Sequence, residues 1–108
     1  MKMIKAIVRP EKASDILITL SDNGFNAATR SSVMGRGKQQ GLKIGNVHYD
    51  EIPKEAITIV VEDEDAQKVI DVISDSARTE KAGAYGDGKI FVLPVERAFT
   101  ISSKEEKL

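Results

Sequence analysis

An α+β fold, one antiparallel sheet carrying both helices on one face, is what this 108-residue chain predicts. Three observations carry the expectation. Two segments show helical spacing of apolar residues, each lies between strand-like runs, and a polar, glycine-containing stretch separates the two units.

Met3 to Val8 is mostly apolar and β-prone, and Pro10 closes it, because proline cannot donate to a ladder and suits the first turn of a helix. Ala13, Ile16, Leu17 and Leu20 follow the i, i+3, i+4, i+7 rule of one buried helical face, with Gly24 as the stop. Asn26 to Met34 is a second strand, ended by Gly35. Gly35 to Pro53 is polar and reads as a long connecting loop ahead of "AITIVVE", an apolar block that suits a buried strand. The acids of "EDED" favour the positive end of a helix dipole, and Ala66, Val69, Ile70, Ile73 and Ala77 then repeat a helical face. After a loop from Gly83 to Gly88 come "KIFVLPV" and "RAFTI", divided by Pro94, and "SSKEEKL", from 102 to 108, reads as a frayed tail. The order is a split βαβ repeat, which gives a ferredoxin-like βαββαβ sandwich with a long loop between strands 2 and 3 and a short C-terminal strand. Only one sheet face is then covered, so apolar residues on the other face predict oligomerisation.

Composition narrows the function. Sixteen basic against seventeen acidic residues leave a net charge of -1, so no bulk field draws the chain to nucleic acid or an anionic membrane. Zero cysteines exclude disulfides and thiolate metal sites, in keeping with a cytoplasmic protein. "MKMIKAIVRP" reads as a strand, not a signal peptide, and no apolar run is long enough for membrane insertion.

Two loops carry chemistry. "GRGKQQG", Gly35 to Gly41, could grip an anion through backbone amides or be a flexible hairpin tip. In "GAYGDGK", Gly83, Gly88 and Lys89 have the G-x-x-x-x-G-K spacing of a phosphate-cradling loop. A strand follows, however, where a Walker loop leads into a helix, and Ile90 stands where a Ser or Thr should reach magnesium. A backbone nest with a lysine beside it survives that objection. His48 stands alone and supplies no multi-histidine metal site, Tyr49 reads as loop packing, and Glu62 to Asp65 reads as helix N-terminal charge. No nucleophile with a paired base can be located, so the chain reads as no enzyme.

Taken in order, "MKMIKAIVRPEK", "GRGKQQG", "IPK" and "GDGKIFV" give a chain that over its whole length resembles the PII family of nitrogen-regulatory signalling proteins, most like the subgroup associated with nitrogen fixation in archaea and anaerobes. The resemblance implies a single PII-like domain over 1–108, a trimer that covers the open sheet face, and ATP or ADP in the cleft between subunits. It places Gly86, Asp87, Gly88 and Lys89 on the phosphates, Gly37, Lys38 and Gln39 at the base of the regulatory loop 37–53, and Ile7 and Thr29 near the nucleotide. 2-Oxoglutarate would bind beside the phosphates through Mg²⁺ held by Gln39, with Gly41 and Lys54 as further contacts; a lysine suits a dicarboxylate. Leu42, Lys43, Val47, His48 and Tyr49 would form the partner-binding part of the loop. The implied partners are nitrogenase or another nitrogen-metabolism protein, and copies of this chain or a sister PII subunit. Glutamine synthetase or an ammonium transporter are alternative targets, and a fold-only member with an altered ligand is the remaining alternative.

The sequence departs from the family in two places. Thr100 and Ser102 stand where phosphate-clamping arginines are usual, with Lys104 nearby, and "EKAGAY" makes the loop before Gly86 longer than usual. The shortened regulatory loop also argues against modification of Tyr49. Two other classes compete. An RNA-binding module needs stacking aromatics on the sheet, and Phe91 alone on a negative chain argues against it. A phosphohydrolase needs an arginine and a water-orienting amide at one loop, and no spacing places Arg9, Arg36 and Asn46 together.

Overall fold

The computed structural model describes residues 1–36, 42–44, 47–49, 51–80 and 82–108. The elements run β1 (Lys2–Val8), α1 (Pro10–Asp22), β2 (Ala28–Gly35), β3 (Leu42–Ile44), β4 (Val47–Tyr49), β5 (Ile52–Val61), α2 (Ala66–Ala77), β6 (Gly88–Pro94), β7 (Phe99–Thr100) and β8 (Glu105–Glu106). Four strands form one antiparallel sheet in the order β2-β5-β1-β6. That order is the ferredoxin-like one, in which each βαβ unit spans a strand contributed by the other.

Alternation decides which face is buried. Ile4, Ala6 and Val8 of β1 and Ile57, Ile59 and Val61 of β5 meet Ala13, Ile16 and Leu20 of α1 and Val69, Ile73 and Ala77 of α2 in one core. On the opposite face Phe91 and Leu93 stay 48% and 43% exposed, which leaves that face open in the single chain. Beneath α1, the buried Glu55 accepts a hydrogen bond from Ser32 Oγ at 3.0 Å and lies 3.5 Å from Arg30 Nε. Arg30 also donates to Ser14 Oγ, so one polar bridge joins β2, β5 and α1.

Pro10 starts α1 where its missing N–H costs no bond. Gly24, at φ +89°, ends it: Gly24 N donates to Ser21 O and Phe25 N to Leu20 O, closing a Schellman turn that packs Phe25 against the core. The acids read as the first turn of the second helix form instead a 3-10 turn, Asp63–Asp65, just ahead of α2. Asp63 accepts a 3.0 Å contact from the chain's terminal amine, which with that bond holds its carboxyl below the ordinary range.

Three boundaries differ from expectation. β5 begins at Ile52, not at Ala56, because β2 pairs with it out to Gly35↔Ile52. Beyond Val8↔Glu55 β1 no longer covers that stretch, so Pro53 occupies an edge position where proline is tolerated. The segment read as a plain connecting loop contains the β3–β4 ribbon, with Leu42 opposite Tyr49, Lys43 opposite His48 and Ile44 opposite Val47. The segment expected to fray folds back as β8 against β7, where Arg97 grips Glu106 through two hydrogen bonds and lies over the Phe99 ring. Among the described residues no helix is long and apolar enough to cross a membrane.

Candidate functional site

Three pieces of chain separated in sequence meet at the end of β1. Strand pairing stops at Val8 and the helix begins at Pro10, so Arg9 sits at the junction in extended backbone, with its side chain free to reach sideways. Beside β1 the strand β6 begins at Gly88, opposite Val8, and the loop from Thr79 to Asp87 arrives there. From the other side β5 brings Lys54.

The loop is organised around one carboxylate. Asp87 accepts hydrogen bonds from Thr79 Oγ1 at 2.7 Å, Ala84 N at 2.8 Å, Arg9 Nε at 3.0 Å and Thr79 N at 3.1 Å. Arg9 Nη2 also donates to Tyr85 O at 2.7 Å, and Lys54 Nζ donates to Gly86 O at 2.6 Å. Successive residues 85, 86 and 87 are thus each held by a cationic side chain. Positive φ at Gly83, Gly86 and Gly88 lets the backbone turn between these anchors. Because a trans peptide sets its N–H opposite its carbonyl, aiming Tyr85 O at Arg9 turns Gly86 N the other way. Among the described residues Gly86 N donates to no protein acceptor, while the next amide, Asp87 N, donates to Ala84 O at 3.2 Å, so Gly86 N is the donor this turn leaves for an anion.

Electrostatics follow from the same contacts. Burial alone would push the Asp87 carboxyl up, but the hydrogen bonds from Thr79, Ala84 and Arg9 outweigh it and hold the group well below its ordinary value of 3.8. Lys54 is lowered, first by burial and then by the neighbouring Arg9, against the opposing pull of Glu11 and Asp87. A depressed carboxylate adds stability that is complete above its unfolded value and is lost as pH falls toward its folded one. Acid titration of the urea midpoint should therefore show stability falling below about pH 4, with a shallower fall in Asp87→Asn. Equal slopes in the two proteins would count against this account.

The residues expected at the site are distributed as follows. Lys89 is exposed directly opposite the half-buried Ile7, next to Gly86, Asp87 and Gly88, and Lys54 joins them. Thr29 is exposed on β2 opposite Thr58, level with Lys5 and two strands away from β1, so a single chain does not bring it to the loop. Gly37, Lys38, Gln39 and Gly41 lie outside the described residues. Leu42, Lys43, Val47, His48 and Tyr49 belong to the β3–β4 ribbon. Thr100 and Ser102 lie in the β7–β8 hairpin, whose turn residue Lys104 has φ +60° and donates its N–H to Thr100 O.

Arg9 and Thr79 meet this loop although the sequence did not place them in it, and Ala84 and Tyr85, within it, make contacts that the sequence did not assign. Arg9 had a signal, an arginine wedged between a strand and a helix-starting proline, and it is considered above only for hydrolysis. A groove of about 430 Å³ beside the loop is lined by Val8, Ile73, Ala77 and Ile90 together with Asp87, Gly88 and Lys89. Its apolar walls belong to the helix-covered side of the sheet, and Arg78 and Lys89 bring two cationic side chains to its lining.

Comparison with known proteins identifies the family. The chain is 52% identical over 108 residues to "Nitrogen fixation nifHD region GlnB-like protein 1" of Methanothermobacter marburgensis, covering 100% of both chains. It is 48% identical over 104 residues to the protein of the same description from Methanococcus maripaludis, covering 96% of each. The corresponding protein of Methanothermococcus thermolithotrophicus is 49% identical over 105 residues, covering 97% of each. The family model described as "Nitrogen regulatory protein P-II" matches residues 1–105, and with these relatives it shows that the chain belongs to the nitrogen regulatory protein P-II family.

Proposed function

We propose that this member of a nitrogen-regulatory family is a non-catalytic sensor that reads ATP or ADP and 2-oxoglutarate and passes the result to a nitrogen-metabolism protein. The observation that carries the proposal is the anchored segment 85–88, with its glycines at positive φ, Lys89 beside it and Lys54 already drawn to Gly86 O. In this reading the loop and Lys89 receive the nucleotide phosphates, Ile7 flanks the nucleotide, and Gly37, Lys38 and Gln39 close on it from the regulatory loop. The separation of Thr29 from β1 favours a cleft completed by a neighbouring chain, and the open sheet face carrying Phe91 and Leu93 favours a trimer. That trimer is formed by copies of this chain or with a sister subunit.

Lys54 would take a carboxylate of 2-oxoglutarate, with Gln39 and Gly41 beside it and Mg²⁺ shared between the dicarboxylate and the phosphates. A partly desolvated ammonium suits that role, because a charge-assisted bond strengthens where water is scarce. The output is the conformation of the loop that contains β3 and β4, biased by whichever ligand binds one loop state better. The descriptions of the relatives place them in nitrogen-fixation gene regions, which favours nitrogenase as the target.

Isothermal titration with MgATP, with and without 2-oxoglutarate, tests the proposal. MgATP is expected to bind, 2-oxoglutarate to bind only with it, and Lys89→Ala to weaken MgATP about tenfold to a hundredfold, the range of one hydrogen bond to a charged group. Gln39→Ala should chiefly weaken 2-oxoglutarate. Absence of binding by either ligand at millimolar concentration would overturn the sensing role.

A further inference from the structure

We infer that Arg9 is a positioning residue for the phosphate-receiving loop, setting nucleotide affinity through the backbone of Tyr85–Gly88 without touching the ligand; this rests on the nucleotide reading above. Two contacts and their setting support it. Arg9 is fixed at its root, between the last paired residue of β1 and the first residue of α1. Its fork divides between two acceptors on either side of Gly86, Tyr85 O at 2.7 Å and the Asp87 carboxylate at 3.0 Å. A guanidinium can do this because its donors diverge in a rigid plane; an ammonium satisfies one of the two with comparable geometry.

The charge balance separates Arg9 from Lys54. Arg9 faces a carboxylate within the protein, so its charge is already spent on Asp87. Lys54 donates to a neutral carbonyl and keeps its charge available for an incoming anion. When a ligand draws Lys54 from Gly86, that anchor is released, while Arg9 still holds residues 85 and 87. Arg9 therefore keeps the nest formed while the neighbouring lysine changes partner. The fit around Gly86 is close: a Cβ there would stand 3.2 Å from Arg9 Nη2, so the guanidinium packs against the turn that it orients.

The test is a titration of MgATP into wild-type protein, Arg9→Gln, Arg9→Lys, Asp87→Asn and the Arg9→Gln/Asp87→Asn double variant, with amide exchange of the ligand-free proteins. Arg9→Gln is expected to weaken MgATP about tenfold or more, with Arg9→Lys in between. Exchange should rise at residues 84–88 while the β1–β5 ladder stays protected. The double variant should bind about as weakly as the worse single one, because both changes break one contact. Binding by Arg9→Gln within twofold of wild type would overturn the inference and leave the sensor reading intact. Additive losses would make Arg9 a direct ligand contact, and loss of protection across the whole sheet would make it a general stabiliser; either overturns positioning. A wild-type protein that binds no MgATP overturns the nucleotide reading itself, and with it any effect of Arg9 on affinity.

Discussion

Gly88→Ala is expected to lower the thermal midpoint by about 10–20 °C, corresponding to a loss of roughly 3 kcal/mol. The reason is backbone against backbone. A Cβ on residue 88 would lie 1.9 Å from Ile7 O, 3.0 Å from Ile7 C and 3.1 Å from Val8 Cα, and none of those atoms belongs to a side chain that could rotate away. The residue also has φ +122°, a conformation that a side chain strains by about 1–3 kcal/mol before any clash is counted. Relief requires the start of β6 to draw away from β1, and Lys89, the next residue along, moves with it. Gly24→Ala is the control: it has positive φ as well, but nothing within 4 Å of the added carbon, so only the conformational cost of about 1 kcal/mol remains. Calorimetry on both variants decides the matter, and a Gly88→Ala midpoint within a few degrees of Gly24→Ala would refute the packing argument.

Asp87→Asn is expected to cost about 2–4 kcal/mol, concentrated in the loop, because the carboxylate accepts from four donors and an amide cannot replace it. The asparagine oxygen can serve two of them, while its NH₂ faces the others as donor against donor. Urea unfolding should show the loss in the midpoint, and limited proteolysis should open new cuts between residues 80 and 86. An unchanged cleavage pattern would mean that the loop has a support other than Asp87.

The helices and the sheet were legible because apolar spacing reports burial directly. Ala13, Ile16 and Leu20, and Val69, Ile73 and Ala77, are both the periodic positions and the buried ones. The β3–β4 ribbon carried a weaker sign, the Gly45-Asn46 pair between Ile44 and Val47, which is hairpin chemistry that the polarity of the surrounding stretch obscured. The early start of β5 depends on what β2 does beside it, and no local window contains that information. The site divides in the same way. Glycines around Asp87 mark the loop from within, whereas the partner of that aspartate is 78 residues away and becomes visible only when β1 and β6 are in register. Thr79 was hidden for a different reason. A threonine just past a helix has many ordinary uses, and its hydroxyl acquires meaning only once the chain has turned back to meet it.

The ring of bonds on Asp87 also bears on how this region can evolve. Thr79 N and Ala84 N both end on the same carboxylate, so the chain between them is an excursion that leaves from and returns to one point. Residues can be gained or lost inside it while the turn from Tyr85 onward keeps its anchors, and doubling the length of such a loop costs only about 0.6 kcal/mol in closure entropy. A change of length between Thr79 and Ala84 therefore falls where insertion is cheapest, and this stretch can vary without disturbing the contacts of Arg9 and Lys54 to residues 85–87.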